Sequence, residues 1–369
     1  MKVPFLKLRE HNLSFKKKYQ IAFEEFLNSG EYILGKKIKE FEDEFKKNNA
    51  VKYSLGVSNC LDGLELLLRS IRINPGDEVI VPSNTYIATW LAVLNVGAIP
   101  IPVEPNIDTF NIDPLKIESA ITEKTKAIIV VHLYGLPCEM DEINQIAKKY
   151  SLYVFEDCAQ SYGSKYKGRM SGCLSDGSAF SFYPSKNLGA LGDAGMIATN
   201  NENIYEITKK MRNYGSTKKY INDEIGKNSR LDELQAYMLS IRLNTIDNEN
   251  HIRTKLAKRY IERLSSSNIP IKLPSIGRSD TLSSCHLFVI LSKKRDDLEK
   301  FLLSKEITTM KHYPIPPHKQ KALLNSPWSN LDLPISEVIH DTCLSLPISC
   351  MHLNDEIDYV CDSIIEFFN

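Results

Sequence analysis

Three short segments of the chain combine a chemically active side chain with the end of an apolar run. Asp157 ends the run V-F-E-D and precedes Gln160 by three residues, while Lys186 follows the run A-F-S-F-Y. The third segment, G-V-S-N-C-L-D-G-L at 56–64, is a turn that opens an apolar helix, and a helix N-terminus suits a phosphate. Together a lysine, a carboxylate and an anion site suit a phosphorylated aldehyde cofactor. The lysine condenses with the aldehyde, and the carboxylate keeps a pyridine nitrogen protonated.

Each of these segments, taken alone, has an ordinary structural explanation. Most lysines are solvated surface residues, and an aspartate at a strand end is more typical of a turn or a helix cap. The apolar run before Lys186 favours a cleft over a convex surface, whereas most strand-to-helix turns bind nothing. The patterns alone therefore predict an α/β enzyme and leave phosphate binding open.

Five short apolar runs carry or flank these residues, and helix-length segments separate them. The runs cover 79–82, 99–103, 127–133, 152–157 and 179–183. Near-continuous apolar strands that alternate with helices predict a mostly parallel sheet covered on both faces. In such sheets the site forms at the carboxyl ends of the strands, which is where Asp157 and Lys186 fall.

The pattern changes in the second half of the chain. Segment 231–266 is long and helical. Segment 267–369 indicates a smaller α+β unit, with a strand near 286–291, a helix near 296–305 and a terminal helix. We therefore predict a large cofactor-binding α/β domain over 1–245 and a small C-terminal α+β domain over 246–369.

Charge balance and cysteine spacing exclude several classes of protein. Lysine plus arginine and aspartate plus glutamate both number 46, so no excess positive charge favours nucleic acid or an acidic bilayer. The apolar, charge-free segment 87–103 is broken by prolines and is shorter than the roughly 20 residues of a membrane helix. Residues 1–10 lack a signal-peptide core, and the eight cysteines contain no C-x-x-C pair. We expect a cytoplasmic protein that binds neither nucleic acid nor membrane.

The motifs taken together are much more specific than any one of them. They are E-D-C-A-Q at 156–160, S-F-Y-P-S-K-N-L-G-A-L-G-D-A-G at 181–195, R-N-Y-G-S at 212–216 and N-S-R-L-D-E-L-Q-A at 228–236. This set resembles the DegT/DnrJ/StrS family of sugar-nucleotide aminotransferases, and the resemblance extends from V-P-F-L near the start to S-L-P-I at 345–348. It implies the type I pyridoxal-phosphate aminotransferase fold and a homodimer with active sites at the subunit interface.

The resemblance also implies roles for individual residues. Lys186 matches the Schiff-base lysine of pyridoxal 5'-phosphate, and Asp157 matches the partner of its pyridinium nitrogen, so these two are the catalytic candidates. The other implied cofactor contacts are Gln160 near the phenolic oxygen, Ser181 on the phosphate, Tyr86 stacked on the ring, and Asn228 reaching the phosphate from the neighbouring subunit.

The first phosphate loop departs from the family pattern. The family often has Ser-Gly-Thr where this chain has Asn59, Cys60 and Leu61, so two hydroxyl donors are lost. The amides of Cys60 and Leu61 remain as donors, and the role of the Asn59 side chain stays open. Asp62 would repel a dianion if it pointed inward, so we expect it to face away or to cap the helix.

Further motifs resemble one subgroup, whose enzymes aminate carbon three of a dTDP-linked 3-keto-6-deoxyhexose. The motifs are S-N-T-Y-I-A-T, V-H-L-Y-G at 131–135, N-L-G-A-L-G-D and H-Y-P-I-P-P-H at 312–318. His312 and Tyr313 match residues near the sugar. Tyr183 is either a third substrate contact, a hydrogen-bond partner of the cofactor or a packing aromatic. His132 is either a site residue or a satisfied core histidine. The histidines at 11, 251, 286, 340 and 352 lack metal-ligand spacing, so we interpret them as structural and expect no metal site.

The resemblance implies ping-pong transamination with L-glutamate as the amino donor. The first half would release 2-oxoglutarate and leave pyridoxamine 5'-phosphate. The second half would give a dTDP-3-amino-3,6-dideoxyhexose for a surface glycan, such as the O-antigen of lipopolysaccharide. Neither the configuration at carbon four nor the nucleotide base follows from the sequence.

Other functions remain as alternatives at this stage. A 4-aminotransferase of a UDP- or GDP-4-keto sugar shares the core motifs, and a cofactor-bound regulatory protein would bind without turnover. A pyridoxal-phosphate sugar dehydratase is disfavoured by Lys186, because those enzymes carry histidine in its place. A nicotinamide oxidoreductase is disfavoured because no G-x-G-x-x-G follows the first predicted strand.

Overall fold

The computed structural model describes residues 1–369 and is built around a seven-stranded sheet. Across the sheet the strands are β1 (Tyr53–Val57), β9 (Gly195–Thr199), β8 (Gly177–Ser181), β5 (Tyr153–Asp157), β4 (Thr125–Val131), β2 (Glu78–Pro82) and β3 (Ile99–Val103). The five strands from β8 to β3 run parallel, so the prediction of a mostly parallel sheet is confirmed. Strand β9 lies between β1 and β8 and is antiparallel to both, an arrangement that the apolar runs did not indicate.

Thirteen α-helices surround this sheet or lie in the C-terminal part. They are α1 (Leu8–Ser14), α2 (Lys16–Ser29), α3 (Lys36–Asn49), α4 (Cys60–Ser70), α5 (Ile87–Asn95), α6 (Pro114–Ile117), α7 (Met140–Tyr150), α8 (Glu202–Met211), α9 (Glu233–Leu243), α10 (Ile246–Ser265), α11 (Arg295–Ser304), α12 (Pro334–Thr342) and α13 (Asn354–Phe368). The long helical segment predicted at 231–266 is therefore two helices, and none of the thirteen is long and apolar enough to cross a membrane.

Helix α4 follows β1 directly and packs closely on one face of the sheet. Asn59 is its N-cap, because the side-chain oxygen accepts a hydrogen bond of 2.8 Å from the amide of Asp62. Leu64, Leu67 and Leu68 are fully buried in the core between this helix and the sheet. This packing fixes the N-terminus of α4 at the carboxyl edge of the parallel strands.

The C-terminal part has its own core and a smaller sheet. Strand β13 (Phe288–Leu291) pairs antiparallel with β14 (Cys343–Leu346), and α10, α11 and α13 pack around them. Val3 joins this core, and its backbone bonds to Glu306 and Thr308. Helix α10 begins at Ile246, the residue at which the sequence analysis begins the second domain.

Five short strands form two further small sheets. Strands β6 (Lys165–Tyr166), β7 (Arg169–Met170) and β12 (Thr281–Leu282) form one, and β10 (Ser216–Lys218) with β11 (Ile221–Asn222) forms a hairpin. Each of these strands has two or three residues, too few to show an apolar alternation in the sequence.

Candidate active site

A cavity of about 510 Å³ opens at the carboxyl ends of β4, β5 and β8, where the sequence analysis placed the site. Eleven of the twelve predicted site residues line it: Asn59, Cys60, Leu61, Tyr86, Asp157, Gln160, Ser181, Tyr183, Lys186, His312 and Tyr313. Asn228 does not line the cavity of its own chain, and its side chain is exposed.

Asp157 is the last residue of β5, and only 5% of its surface is exposed. Three groups donate hydrogen bonds to its carboxylate: Thr89 Oγ1 at 2.9 Å, the Ala159 amide at 3.1 Å and Cys60 Sγ at 3.6 Å. Burial raises the pKa of Asp157 above its ordinary value, and these donors and nearby Lys186 offset part of that rise. The structure therefore holds a buried carboxylate with no ion-pair partner of its own, a suitable counter-charge for a bound cation.

Lys186 lies in the tight turn that follows β8. Its amide donates to Tyr183 O at 2.8 Å, and a Cβ on Gly189 would overlap the Pro184 carbonyl, so the turn requires glycine there. The side chain is half-buried and its amine makes no hydrogen bond. Burial lowers the pKa of Lys186, while Asp157 opposes this shift. A lysine with a lowered pKa is both a better nucleophile and a better base at neutral pH.

The N-terminus of α4 presents backbone amides to the same cavity. Because the Asn59 side chain is used as the N-cap, it is the amides of Cys60 and Leu61 that remain as donors toward the cavity. Asp62 does not line the cavity, as expected, and its carboxylate bonds to Ser58 Oγ at 2.6 Å and to Lys227 Nζ at 2.6 Å. Burial raises the pKa of Asp62, but these bonds outweigh that effect and hold it below its ordinary value.

Two tyrosines and a glutamine form one wall of the cavity. The rings of Tyr86 and Tyr313 lie 5.0 Å apart with an interplanar angle of 34°. Gln160 donates to Tyr313 Oη at 2.8 Å and accepts from the Tyr134 amide at 2.7 Å, so both ends of its amide group are fixed. Tyr183 is 55% exposed at the mouth of the cavity, which excludes a packing role within the chain.

The structure distinguishes the two histidines for which the sequence suggested roles. His312 lines the cavity, its Nδ1 lies 2.8 Å from Ser345 Oγ, and burial with nearby Lys186 lowers its pKa to about 4. His132 is fully buried outside the cavity, where its Nε2 bonds to Glu156 at 2.8 Å and its Nδ1 accepts from the Cys138 amide at 3.0 Å. His132 is therefore a satisfied core histidine.

Several residues of the cavity were not recognised from the sequence. Thr85, Ser185 and Asp193 line it, and Thr89 contacts Asp157 from beneath. Thr89 lies in the first turn of α5, three residues after the N-cap Tyr86. This helical spacing would have identified it. His286 also lines the cavity, a position that the sequence analysis did not predict.

Comparison with known proteins yields one family and close structural neighbours. The sequence profile of the DegT/DnrJ/EryC1/StrS aminotransferase family matches residues 14–365. A dTDP-3-amino-3,6-dideoxy-alpha-D-galactopyranose transaminase from Aneurinibacillus thermoaerophilus is 50% identical over 362 residues, covering 98% of both chains.

Two solved structures bear on the cofactor and the fold. Streptomyces venezuelae DesV in complex with a ketimine intermediate superposes with a TM-score of 0.97 at 41% identity, covering 100% of this chain and 99% of that one. NtdA from Bacillus subtilis with bound cofactor PMP gives a TM-score of 0.93 at 34% identity, covering 100% of this chain and 85% of that one.

Proposed function

The chain belongs to the DegT/DnrJ/EryC1/StrS aminotransferase family, and we propose that it transfers the amino group of L-glutamate to a dTDP-linked 3-keto-6-deoxyhexose. It has the type I fold and is a pyridoxal-phosphate-dependent sugar-nucleotide aminotransferase. The proposed products are a dTDP-3-amino-3,6-dideoxyhexose and 2-oxoglutarate. The observation that carries the assignment to this cavity is the pair Lys186 and Asp157, an amine and a buried carboxylate that line one cavity without bonding to each other.

The residues around the cavity fit the cofactor at three separate points. Asp157 offers a buried carboxylate to a protonated ring nitrogen, and Lys186 offers an amine without a hydrogen-bond partner to an aldehyde. The free amides of Cys60 and Leu61 offer donors to a phosphate at the N-terminus of α4. We assign Ser181 to the same phosphate, and Tyr86 and Gln160 to the ring.

When bound, the cofactor supplies a carbon that carries the amino group between the substrates and a ring that withdraws electrons from the substrate carbon. Lys186 Nζ takes the proton from the amino-bearing carbon of glutamate, because its lowered pKa favours the neutral amine. The same amine returns a proton in the reverse sequence with the keto sugar. The Asp157 carboxylate holds the proton on the ring nitrogen, and burial keeps water from competing for that site.

Tyr183, His312 and Tyr313 are the proposed sugar contacts. Tyr183 stands at the cavity mouth, and His312 is neutral at pH 7, so its ring is suited to a hydroxyl group rather than to a phosphate. Deeper in the cavity, the Tyr313 hydroxyl bonds to Gln160. The dTDP moiety and carbon three are inferred from the motifs of this chain and from the activity named for the relative from Aneurinibacillus thermoaerophilus.

We further propose a homodimer with shared active sites. Asn228 is exposed and lies outside its own cavity. Its neighbour Lys227 bonds to Asp62 in the first turn of α4, and its neighbour Ser229 bonds to Ser58, just before that helix. Helix α2 also exposes Ile21, Phe23 and Leu27, an apolar surface of the kind that subunit contacts cover. The proposed setting is the cytoplasm, where the product would supply a surface glycan such as O-antigen.

A covalent-labelling experiment tests the assignment of Lys186. Borohydride reduction of the loaded protein should attach the cofactor to the peptide that contains Lys186, with loss of the visible chromophore. Lys186→Ala should abolish both the label and turnover, while Lys126→Ala, an exposed lysine of β4, should change neither. Full turnover by Lys186→Ala would refute the assignment.

A substrate panel tests the position of amination. The enzyme is incubated with L-glutamate and with 3-keto and 4-keto sugars linked to dTDP, UDP or GDP, and the products are identified by mass spectrometry and NMR. Release of 2-oxoglutarate with amination at carbon three of the dTDP sugar is the expected result. Amination at carbon four alone would refute the proposed substrate, and binding without 2-oxoglutarate release would indicate a regulatory protein.

A further inference from the structure

The two ring nitrogens of His312 have different surroundings, and only one of them contacts the protein. Its Nδ1 lies 2.8 Å from Ser345 Oγ, whereas its Nε2 makes no hydrogen bond within the chain. His312 is half-buried and lines the cavity, and its Nε2 is accessible, unlike Nε2 of His340, which is buried without a partner. The role proposed above for His312 leaves open which of the two nitrogens carries a proton.

Three further contacts hold the imidazole ring in this place. Tyr134 Oη donates a hydrogen bond to the carbonyl of His312, and the ring of Phe5 stacks on the imidazole at 5.7 Å with an interplanar angle of 27°. Two residues before His312, Met310 exchanges backbone hydrogen bonds of 3.2 and 2.7 Å with Ser345 of β14. The segment that carries His312 is therefore anchored to the same residue whose hydroxyl group contacts the ring.

The hydroxyl group of Ser345 determines which nitrogen is the acceptor. Ser345 is fully buried, and the imidazole is the only hydrogen-bond partner of its Oγ. If Nδ1 carried the proton, it would donate to Oγ, and the hydroxyl proton would have no acceptor in the core. A buried donor without an acceptor is strongly unfavourable, so the hydroxyl group donates to Nδ1.

The imidazole of His312 is neutral at pH 7 and so carries only one proton. Burial, with a smaller contribution from Lys186, lowers the pKa of His312 to about 4. Because Nδ1 accepts from Ser345, this proton is on Nε2. The edge of the ring that no protein group contacts is therefore an N–H donor.

The next residue, Tyr313, also retains a donor. The amide of Tyr134 only donates, and it bonds to Gln160 Oε1 at 2.7 Å, so the Nε2 of Gln160 is the atom that faces Tyr313. Gln160 Nε2 donates to Tyr313 Oη at 2.8 Å, and this bond leaves the hydroxyl proton of Tyr313 unused. Both residues line the cavity, so this wall has two donors.

We propose that Ser345 is a positioning residue that makes His312 a hydrogen-bond donor to the sugar, so that this wall recognises an acceptor oxygen of the keto sugar. The inference rests on the proposed function, in which His312 contacts the sugar. Ser345 does not line the cavity and acts only through the imidazole ring. A ketone oxygen only accepts hydrogen bonds and a hydroxyl oxygen can accept them, so either fits this donor.

NMR of the cofactor-free, ¹⁵N-histidine-labelled protein tests the position of the proton directly. Two-bond ¹H–¹⁵N correlations distinguish the two neutral forms of the ring, and the spectrum of His312→Gln identifies the signals of His312. At pH 7 we expect the proton on Nε2 and an accepting Nδ1. A proton on Nδ1 would overturn the proposal.

Two substitutions of Ser345 separate positioning from packing. Ser345→Ala removes the donor to Nδ1, whereas Ser345→Cys keeps a weaker donor in its place. A packing role predicts that the Ala variant is the milder of the two, because sulfur is larger than oxygen and the position is fully buried. A positioning role predicts that the Cys variant is the milder.

The kinetic measurement follows the two half-reactions separately. In Ser345→Ala the ring loses its anchor and its fixed proton position, so KM for the keto sugar should rise about tenfold, with a smaller rise in Ser345→Cys. The half-reaction with L-glutamate, followed by the change in cofactor absorbance, should stay near the wild-type rate in both variants.

The outcomes distinguish this proposal from the proposed function. An unchanged KM in Ser345→Ala, a Cys variant at least as impaired as the Ala variant, or an equal loss in both half-reactions would overturn the role of Ser345. Failure of the wild type to release 2-oxoglutarate from L-glutamate would instead overturn the proposed function. If neither variant folds, the NMR measurement decides, because it uses the wild-type protein without cofactor or substrate.

Discussion

Replacing Asp157 by asparagine should have opposite effects on the empty and the loaded protein. In the empty protein the carboxylate is 5% exposed, it has hydrogen bonds but no ion pair, and burial raises its pKa. A carboxyl group whose pKa is higher in the folded than in the unfolded state stabilises the folded state fully at pH values below its unfolded pKa. This contribution to the free energy of unfolding is lost as pH rises through the folded-state pKa. At pH 7 the ionised Asp157 therefore destabilises the empty fold, and the amide variant should be the more stable.

The loaded protein should lose affinity for its cofactor. Removing one member of a buried ion pair costs about 3–5 kcal/mol, and about 1.4 kcal/mol corresponds to a factor of ten. The dissociation constant of pyridoxal 5'-phosphate should therefore rise by roughly 10²- to 10³-fold in Asp157→Asn. This range is an upper limit, because the ring nitrogen of the cofactor can lose its proton in the variant. The neutral ring then no longer carries an unpaired buried charge.

Both effects are measurable on one set of samples. Thermal unfolding with and without cofactor gives the two stabilities, and absorbance titration gives the dissociation constant. Asp176→Asn is the matched control, since burial also raises the pKa of Asp176 but this residue lies outside the cavity. Near-wild-type affinity in Asp157→Asn, or an empty variant less stable than the wild type, would refute the reasoning.

Three further predictions follow from the site. Lys227 bonds to Asp62 at 2.6 Å and to Glu65 at 2.9 Å in the first turns of α4, so Lys227→Met should weaken binding of pyridoxal 5'-phosphate about tenfold. Binding of unphosphorylated pyridoxal should not change. In the same titration, adding Asp62→Asn to Lys227→Met should restore the affinity for pyridoxal 5'-phosphate. The pKa of His312 is about 4, so the unfolded chain takes up a proton between about pH 6.5 and 4 that folded His312 does not. The wild type should lose stability as pH falls through this window, and urea unfolding should show a smaller loss in His312→Gln. Gly189→Ala should abolish cofactor attachment to Lys186 under borohydride, because its Cβ would displace the Pro184 carbonyl and the lysine turn with it.

The sequence predicted those parts of the site that local patterns encode. Asp157 and Lys186 each end or follow an apolar strand, and parallel strands bring their carboxyl ends to one edge of the sheet. Asp157 and Lys186 are about 30 residues apart in the sequence. They were placed together by the apolar runs and by the length of the segments between those runs. The resemblance to a family added the cofactor roles of Gln160, Ser181 and Tyr86, because strand and helix patterns do not mark a cofactor contact at these positions.

What the sequence did not reveal depends on contacts between distant segments. His286 contacts Asn187 across 99 residues, Asn187 bonds to Asn250, and Asn250 bonds to the Tyr162 carbonyl, which makes a chain of contacts between distant segments. Neither hydrophobic periodicity nor motif spacing carries information about such a chain. Strand β9 (Gly195–Thr199) was not predicted from the sequence.

The altered phosphate loop shows how one departure from the family pattern affects two functions. The resemblance suggested that replacing Ser-Gly-Thr by Asn59, Cys60 and Leu61 costs the loop two hydroxyl donors. In the folded chain Asn59 caps α4 instead, and Cys60, which stands in the glycine position, turns its thiol toward Asp157. Burial raises the pKa of Cys60 well above its ordinary value, so the thiol stays protonated and acts as a donor. The same residue therefore offers its amide to the proposed phosphate site and its thiol to the carboxylate, so one residue contacts both ends of the proposed cofactor site.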